Sequence, residues 1–556
     1  MKFKKILLSL LICLSCFVQA KNITISRLTC EMQEGLVVVE GSPRLGWVME
    51  SPENGTRQSA YEIDIREAFT GRSVWNSGKV YSSQSQLVST KGADIRPDNS
   101  FNYSWRVRVW DETDTPSEWS SEAKFRAVPE RLSSSGQWIG AITRQNAHLP
   151  EGRKFHGGEL KKPEVKAAWE AVDTLAKKSI CLRRTFQVGD ATEGGTNRKP
   201  GKKIVEATAY VCGLGFYEFS LNGQKVGNSE FAPLWSDYDK TVYYNTYDVT
   251  EQLRRGENVV GILLGNGFYN VQGGRYRKLQ ISFGPPTLLF ELVINYEDGT
   301  CTTVHSDNEW KYDFSPVIFN CIYGGEDYDA RREQKGWNQI GFDDSHWRPV
   351  VIQEAPKGIL RPQMAAPVKI MERYDIQKVT KLNADQVASA SVSTKRTVDP
   401  SAFVLDMGQN LAGFPEIKVR GKRGQKVTLI VAEALTEEGA CNQRQTGRQH
   451  YYEYILKGEG DETWHPRFSY YGFRYIQVEG AVLKGQKNPQ KLPVLKNIQS
   501  CFVYNSAKKV STFESSNRIF NAAHRLIEKA VRSNMQSVFT AVSYTHLRAH
   551  ETDSYL

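Results

Sequence analysis

Tyr103-Ser104-Trp105-Arg106-Val107-Arg108-Val109-Trp110-Asp111 is the stretch that decides the fold of the first part of the chain. Apolar and polar side chains alternate along it, which is the period of a β-strand with one buried face. Residues 61–65 alternate in the same way, and residues 116–120 predict a turn before a last strand that ends at Phe125. Many more short runs of this kind, punctuated by 44 glycines, predict a mainly β protein made of tandem β-sandwiches.

A chain of 556 residues is too long for one core, so several domains are expected. Residues 22–128 resemble a fibronectin type III or immunoglobulin-like sandwich, with buried Trp and Tyr on alternating strands. Residues 135–350 and 358–505 predict two larger, jelly-roll-like sandwiches. In the first of these, Asn222-Gly223 and Asp298-Gly299 predict hairpin turns, because these residue types tolerate positive φ.

Helical patterns are few. Apolar residues recur at helical spacing within 165–178 and predict a short amphipathic helix, whereas the polar stretch 380–398 predicts a loop. The pattern changes at residue 511. Ser516 is placed to cap a helix with an apolar stripe, so residues 511–540 are expected to begin an all-α domain.

The two ends of the chain predict features outside the folded domains. Residues 1–20 have the basic start, apolar middle and small-residue end of an export signal, which predicts a periplasmic or extracellular protein. Cys16 leaves a lipoprotein anchor as an alternative, and no later segment is apolar enough to span a membrane. Residues 541–556 resemble a translated synthetic adapter and are interpreted as a non-native tail, with a natural exposed tail as the alternative.

The formal net charge of +10 does not predict nucleic-acid binding, because the basic residues are scattered among 62 acidic ones. The longest basic cluster, residues 198–203, lies in a Gly-rich loop. Beyond the leader the chain has seven cysteines, far apart and without CxxC spacing, which favours neither a disulfide framework nor a zinc site. Their pairing and the oligomeric state stay open.

Several sequence motifs, taken in their order along the chain, point to one family. They include Gly213-Leu214-Gly215-Phe216-Tyr217, Leu264-Gly265-Asn266-Gly267-Phe268-Tyr269 and Tyr323-Gly324-Gly325-Glu326-Asp327-Tyr328. Together they resemble the N-terminal domain of bacterial α-L-rhamnosidases of glycoside hydrolase family 78. Asp406-Met407-Gly408-Gln409-Asn410 and the strand at 471–475 resemble the next, concanavalin-like domain of that family. The resemblance covers about residues 22–540.

The resemblance implies that the helix at 511–540 begins an (α/α)₆ barrel that holds an inverting glycosidase site. Inversion uses two carboxyl groups about 6.5–9.5 Å apart. In the family, a segment like 533–540 leads into Asp-Cys-Pro-x-Arg-Glu, but here Thr540 is followed by Ala541 and the foreign tail. We therefore assign no catalytic residue. The parent enzyme is expected to hydrolyse terminal α-L-rhamnose from plant glycans or glycosides, and this chain alone is expected to be inactive.

Two rival functions remain at this stage. A stand-alone extracytoplasmic carbohydrate-binding protein would make the sandwiches the functional unit, but the apolar stripe of the last helix would then have nothing to pack on. A glycosidase of another family with sandwich domains, such as a β-galactosidase, is the second rival.

Candidate ligand-binding residues fall into two groups. Glu326, Asp327 and Asp329 supply closely spaced oxygen ligands for calcium, and Arg331 next to them is a candidate sugar contact. The alternative is a polar turn in which Arg331 pairs with a neighbouring carboxylate. No other cofactor is expected.

The second group is aromatic. Trp235, Tyr238 and Tyr269 are candidates to stack on sugar rings, with core packing as the alternative. Glu433 and Glu462 have no partner that the sequence can predict, and no role is assigned to them.

Overall fold

The computed structural model describes residues 23–96, 102–128, 135–150, 154–189, 202–275, 279–394, 396–444 and 449–537. The chain divides into two compact units, residues 1–132 and 133–556. The predicted leader at 1–20, the predicted tail at 541–556 and most of the basic cluster at 198–203 lie outside the described residues. Of the helices in the described ranges, none has the length and apolar character needed to cross a membrane.

The first unit is a sandwich of two sheets. Its strands are β1 (Thr24–Cys30), β2 (Val37–Glu40), β3 (Arg44–Glu50), β4 (Ala60–Glu67), β5 (Ser73–Asn76), β6 (Val80–Tyr81), β7 (Val88–Ser89), β8 (Asn102–Trp110) and β9 (Ala123–Val128). One sheet has the order β1-β3-β7, and the other has the order β2-β9-β8-β4-β5 with β6 paired to β4. Along β8, Trp105, Val107 and Val109 are buried and Arg106 and Arg108 are partly exposed, which confirms the predicted alternation.

The second unit contains a larger sandwich, which we call sandwich A. Its strands are β10 (Ile139–Gly140), β11 (Lys154–His156), β12 (Ile180–Val188), β13 (Ile204–Leu214), β14 (Tyr217–Leu221), β15 (Gln224–Lys225), β16 (Thr241–Asp248), β17 (Gly256–Leu264), β18 (Asn270–Val271), β19 (Leu279–Ser282), β20 (Thr287–Tyr296), β21 (Cys301–His305), β22 (Lys311–Phe314), β25 (Arg348–Pro349), β26 (Val351–Ile352) and β27 (Ile359–Pro362). Between β22 and β25 the chain also forms β23 (Val317–Cys321) and β24 (Gly325–Asp329), which pair elsewhere. The main sheets of sandwich A have the orders β26-β10-β20-β13-β16-β27 and β15-β14-β17-β12-β22-β25. Phe219, Phe290 and Trp310 are buried in its core. Asn222 and Gly223 have φ of 52° and 84°, which confirms the predicted hairpin between β14 and β15.

The second unit also contains sandwich B, built around one long sheet. Its later strands are β28 (Val368–Tyr374), β29 (Lys378–Lys381), β30 (Phe403–Arg420), β31 (Lys426–Ala432), β32 (Ala434–Leu435), β33 (Cys441–Asn442), β34 (Tyr451–Ile455), β35 (Asp461–Trp464), β36 (Tyr471–Glu479), β37 (Val482–Leu483) and β38 (Val494–Asn505). The sheet has the order β23-β24-β34-β31-β36-β30-β38-β28. It therefore takes β23 and β24 from within 135–350, the stretch that the sequence assigned to the preceding domain. Gly325, with φ 96°, lets β24 approach Tyr451 of β34, since a Cβ there would lie 1.9 Å from the Tyr451 carbonyl oxygen.

Three α-helices occur in the described residues: α1 (Pro163–Glu170), α2 (Ala384–Thr394) and α3 (Arg518–Asn534). The helix predicted within 165–178 is divided into α1 and a 3₁₀ turn at Thr174–Lys177. The prediction of a loop at 380–398 is wrong, because α2 buries Val387 and Ala390 against Leu382. Helix α3 begins one residue later than predicted, since the Asn517 side chain accepts the Ile519 N–H at 2.9 Å.

Candidate functional site

Sandwiches A and B meet along a seam formed by Gly215, Phe216, Gly265, Phe414 and Phe468. A Cβ at Gly215 would lie 1.9 Å from the carbonyl oxygen of Gly265, and a Cβ at Gly265 would lie 2.3 Å from the Phe468 ring. Phe216, Phe414 and Phe468 are buried in one shared core. Close approach of the backbone at the seam therefore explains why glycine occurs at positions 215 and 265. A side chain at either position would force the neighbouring elements apart.

A chain of charged groups lies along the seam. The Glu218 carboxylate in β14 is 3.4 Å from both the Arg467 guanidinium and the Lys225 ammonium, and Lys225 is also 3.4 Å from Glu230. Burial acts to raise the pKa of the Glu218 carboxyl, but the charges of Arg467 and Lys225 outweigh it and lower that pKa to about 2. Glu218 therefore stays ionised and joins the two sandwiches.

Glu326, one of the predicted metal ligands, is fully buried at this seam. Its two carboxylate oxygens accept the backbone N–H groups of Arg467 and Phe468 at 2.9 and 2.8 Å. Burial raises the pKa of Glu326 to about 8, although the two N–H donors act in the other direction. Both oxygens are thus committed to the backbone of sandwich B.

The other predicted metal ligands have protein partners as well. Asp327 forms an ion pair with Arg275, and Asp329 pairs with Arg331 through two hydrogen bonds of 2.8 and 2.9 Å. Within the described ranges, no group of three or more His, Cys, Asp or Glu side chains lies close enough to hold a metal ion. The structure does not bring the three carboxylates together, and the pair Asp329–Arg331 matches the alternative interpretation of a polar turn.

Two of the predicted aromatic residues do come together. The Tyr238 and Tyr269 rings meet edge to face with their centroids 5.2 Å apart, and both contact the Phe283 ring. Trp235 packs elsewhere, edge to face against Phe268 at 6.4 Å. Its carbonyl oxygen accepts the Ser537 hydroxyl. The structure therefore joins Tyr238 and Tyr269 and leaves Trp235 and Arg331 apart from them.

A cavity of about 300 Å³, which we call the cleft, opens beside Tyr238, Tyr269 and Phe283. Arg144 borders it and donates to the Phe283 carbonyl oxygen at 2.7 Å. The remaining polar side chains that line it are those of Asp239, Thr287, Gln353, Glu354 and Lys357. These residues lie near the ends of β10, β16, β20 and β26, far apart along the chain, so no local motif could have identified them.

The two acidic residues without an assigned role, and His465 of sandwich B, have structural partners. Glu433 accepts the Asn410 side-chain amide at 3.0 Å, and Glu462 accepts the Tyr454 hydroxyl at 2.8 Å. His465 stacks on Phe414 with ring centroids 4.8 Å apart. These contacts fix loops and rings within sandwich B.

Three family models match the chain in order. The Rha78A-like N-terminal immunoglobulin domain matches residues 25–128, and the alpha-L-rhamnosidase N-terminal domain matches residues 202–372. The bacterial alpha-L-rhamnosidase concanavalin-like domain matches residues 396–504. The first match lies in the first unit, the second begins within sandwich A and reaches β28 of sandwich B, and the third lies in sandwich B.

Curated relatives carry the name alpha-L-rhamnosidase. One from Formosa agariphila is 32% identical over 97% of this chain and 54% of its own length. One from Alteromonas sp. (strain LOR) is 30% identical over 89% of this chain and 48% of its own length. The chain thus spans about half the length of the curated relatives it matches.

Solved structures give the same result. The alpha-L-rhamnosidase from Dictyoglumus thermophilum is 27% identical with a TM-score of 0.75, over 96% of this chain and 56% of that one. The Streptomyces avermitilis alpha-L-rhamnosidase, solved with L-rhamnose, is 26% identical with a TM-score of 0.76, over 93% of this chain and 61% of that one.

Proposed function

The chain belongs to the bacterial α-L-rhamnosidase family, glycoside hydrolase family 78, and from this premise we propose that it supplies the N-terminal sandwiches of a secreted rhamnosidase. The whole enzyme would hydrolyse terminal α-L-rhamnose from plant glycans or glycosides. The observation that carries the proposal is the order of the three matched domains along one chain.

The proposed chemistry is hydrolysis with inversion. One carboxyl group protonates the departing oxygen while a second activates a water molecule on the opposite side of the sugar ring. We assign neither role to a described residue, because the buried carboxylates of the seam and of sandwich B are already held by protein partners. No cofactor enters this chemistry, and calcium is left out because its proposed ligands are paired.

Helix α3 supports the proposal of a further helical domain. Ile519, Phe520 and Leu526 are 75%, 60% and 68% exposed on it. The helix is held on sandwich B by other residues, with Lys529 2.8 Å from Glu372. An apolar face of this size normally has a partner, and we propose that helices of an α-barrel cover it.

Location and partner follow from the same proposal. The predicted export signal at 1–20 supports a periplasmic or extracellular site of action. The partner would be a rhamnose-containing carbohydrate, with no role for nucleic acid.

A fusion protein tests the function. Residues 23–537 are joined to the part of the Formosa agariphila relative that follows its matched region, and the product is assayed on an aryl α-L-rhamnoside. We expect the fusion protein to hydrolyse the substrate and to release the β-anomer of rhamnose first, as monitored by NMR. We expect no hydrolysis by the 556-residue chain alone. Rhamnose release by the chain alone would contradict its accessory role. A folded fusion that binds a rhamnose-containing glycan without cleaving it would favour the stand-alone binding protein.

A further inference from the structure

Helix α3 lies on sandwich B without burying any of its own residues. All 17 residues of α3 are described, and none of them is buried. Just after the helix ends, the Met535 carbonyl oxygen accepts the N–H of Asn505 of β38 at 2.9 Å. The Gln536 side chain donates to the Val503 carbonyl oxygen, also at 2.9 Å. These bonds fix one end of the helix, and a second attachment is needed to set its direction.

The second attachment is the Glu372 carboxylate of β28. Lys529 and Arg532 of α3 lie 2.8 and 3.5 Å from its two oxygens. The hydroxyl groups of Tyr374 and Tyr504 donate to the same carboxylate. Burial acts to raise the pKa of Glu372, but the hydrogen bonds from Lys529 and the two tyrosines outweigh it and lower that pKa. The carboxylate therefore stays ionised and holds the two cations of the helix.

A β-bulge brings Glu372 to the side of the sheet where α3 lies. Ile370 lies opposite Val503 of β38 and packs against the core that contains it. Glu372 follows two residues later but lies opposite Phe502, one residue back along β38, so β28 has an extra residue here. In a regular strand Glu372 would share the face of Ile370. The bulge instead places it beside Phe502, whose ring centre is 5.5 Å from the Lys529 ammonium.

We propose that Glu372 sets the direction in which α3 leaves sandwich B and, through α3, the position of the helical domain that follows. This inference rests on the proposed function, because that domain is the α-barrel of the whole enzyme. Lys529 lies six residues before Met535, which is about 9 Å along the axis of a helix. Two attachments at this separation fix a direction that either one alone would leave free. Glu372 is thus a positioning residue, which acts on the barrel through α3.

The test measures the direction of α3 in the 556-residue chain. Nitroxide spin labels are attached to Cys301, which is exposed on sandwich A, and to the thiol introduced by Arg518→Cys at the start of α3. Pulsed EPR of labelled chain diluted with unlabelled chain gives the distribution of distances within one molecule. We expect a narrow distribution for Glu372 and its loss in Glu372→Lys, because like charges then meet at the contact with Lys529.

Three further variants make the result specific. Glu372→Gln keeps the size of the side chain, removes only its charge, and is also expected to broaden the distribution. The double variant Glu372→Lys/Lys529→Glu restores opposite charges and is expected to restore the narrow distribution. Glu416→Gln is the matched control, because the Glu416 carboxylate pairs with Arg373 of β28 at 3.4 Å rather than with α3. It is expected to leave the distribution unchanged.

The fusion protein tests the consequence for the barrel. We expect Glu372→Lys to lower its kcat/KM about tenfold or more, since small displacements of catalytic groups cost much of the rate, and the double variant to recover it. A narrow distribution in both single Glu372 variants, or no recovery in the double variant, overturns the inference.

The two proposals fail in different ways. An active fusion protein that Glu372→Lys leaves unchanged overturns this inference and leaves the proposed function standing. An inactive wild-type fusion protein counts against the proposed function, and the EPR distances still decide whether Glu372 directs α3.

Discussion

Gly265 lies so close to Phe468 that a Cβ at position 265 would come within 2.3 Å of the Cδ2 atom of the Phe468 ring. Gly265 follows the last residue of β17 in sandwich A, and Phe468 lies between β35 and β36 of sandwich B. The contact between these two residues therefore sets how closely the two sandwiches pack.

The first prediction concerns this contact. Gly265→Ala forces the Phe468 ring to move within a packed core, so we expect the free energy of unfolding to fall by about 1–3 kcal/mol. Gly158→Ala is the matched control, because nothing lies within 4 Å of a Cβ there and the backbone is helical, with φ −66°. Denaturant unfolding measures both. Equal stability of the two variants would show that the seam is not packed as described.

The second prediction concerns pH. Burial raises the pKa of Glu326 from its ordinary value of 4.5 to about 8 in the folded chain. The folded chain then binds more protons than the unfolded chain between these values, so this group's contribution to stability is complete below pH 4.5 and is lost as the pH rises through 8. Glu326→Gln cannot titrate. We expect the stability difference between wild type and this variant to change by up to about 1.4 kcal/mol per pH unit, in the direction that disfavours wild type at high pH.

Unfolding measured from pH 5 to pH 9 gives this difference directly. Glu437→Gln, at an exposed position, is the control and is expected to leave the pH dependence as in wild type. A difference between wild type and Glu326→Gln that stays constant over this range would contradict a buried, protonated Glu326.

The third prediction concerns helix α3. Its exposed apolar face is expected to make the chain self-associate, because large apolar patches associate in water. Leu526, 68% exposed, is replaced by lysine, and sedimentation is compared with wild type. We expect less association and a stability within about 0.5 kcal/mol of wild type. Val379→Lys, at a 40% exposed position on β29, is expected to leave association as it was. If Leu526→Lys and wild type sediment alike, the α3 face is not the contact surface.

The fourth prediction concerns the cysteines. All seven in the described residues are unpaired, and only Cys301 among them is exposed. Burial raises the pKa of Cys441 and Cys501 to about 12, so little reactive thiolate forms there. Iodoacetamide treatment of the native chain, followed by peptide mapping, is expected to label Cys301 alone, and Cys301→Ser is expected to stay unlabelled. Rapid labelling of Cys441 would mean that sandwich B opens locally.

Local patterns in the sequence predicted much of the fold. The alternation along residues 103–111 identified β8, and Asn222-Gly223 identified a hairpin, because both signals depend only on neighbouring residues. The helix at 384–394 was missed because it packs through small residues such as Ala390, so its buried face carries no strong apolar signal. The assignment of β23 and β24 to sandwich B could not be predicted, because β24 pairs with β34, which is more than a hundred residues later in the chain, and β23 joins the sheet only through β24.

The candidate site was less predictable than the fold. Tyr238 and Tyr269 were identified by residue type, but their contact with each other depends on how two loops of sandwich A meet. Arg144 and Glu354 lie in the same cleft and belong to no motif. The carboxylates of 326–329 are neighbours in sequence, yet they lie on one extended strand with separate partners, so closeness along the chain did not produce a shared site.

The parallel pairing of β24 with β34 has a consequence for how such chains can be recombined. A gene fragment that begins at residue 358 would encode most of sandwich B but would omit the strands at Val317–Cys321 and Gly325–Asp329. The edge of β34 would then be open to pairing with any other strand, a common route to aggregation. Sandwiches A and B must therefore be transferred between proteins together. A recombination library with a crossover point between them would yield insoluble products.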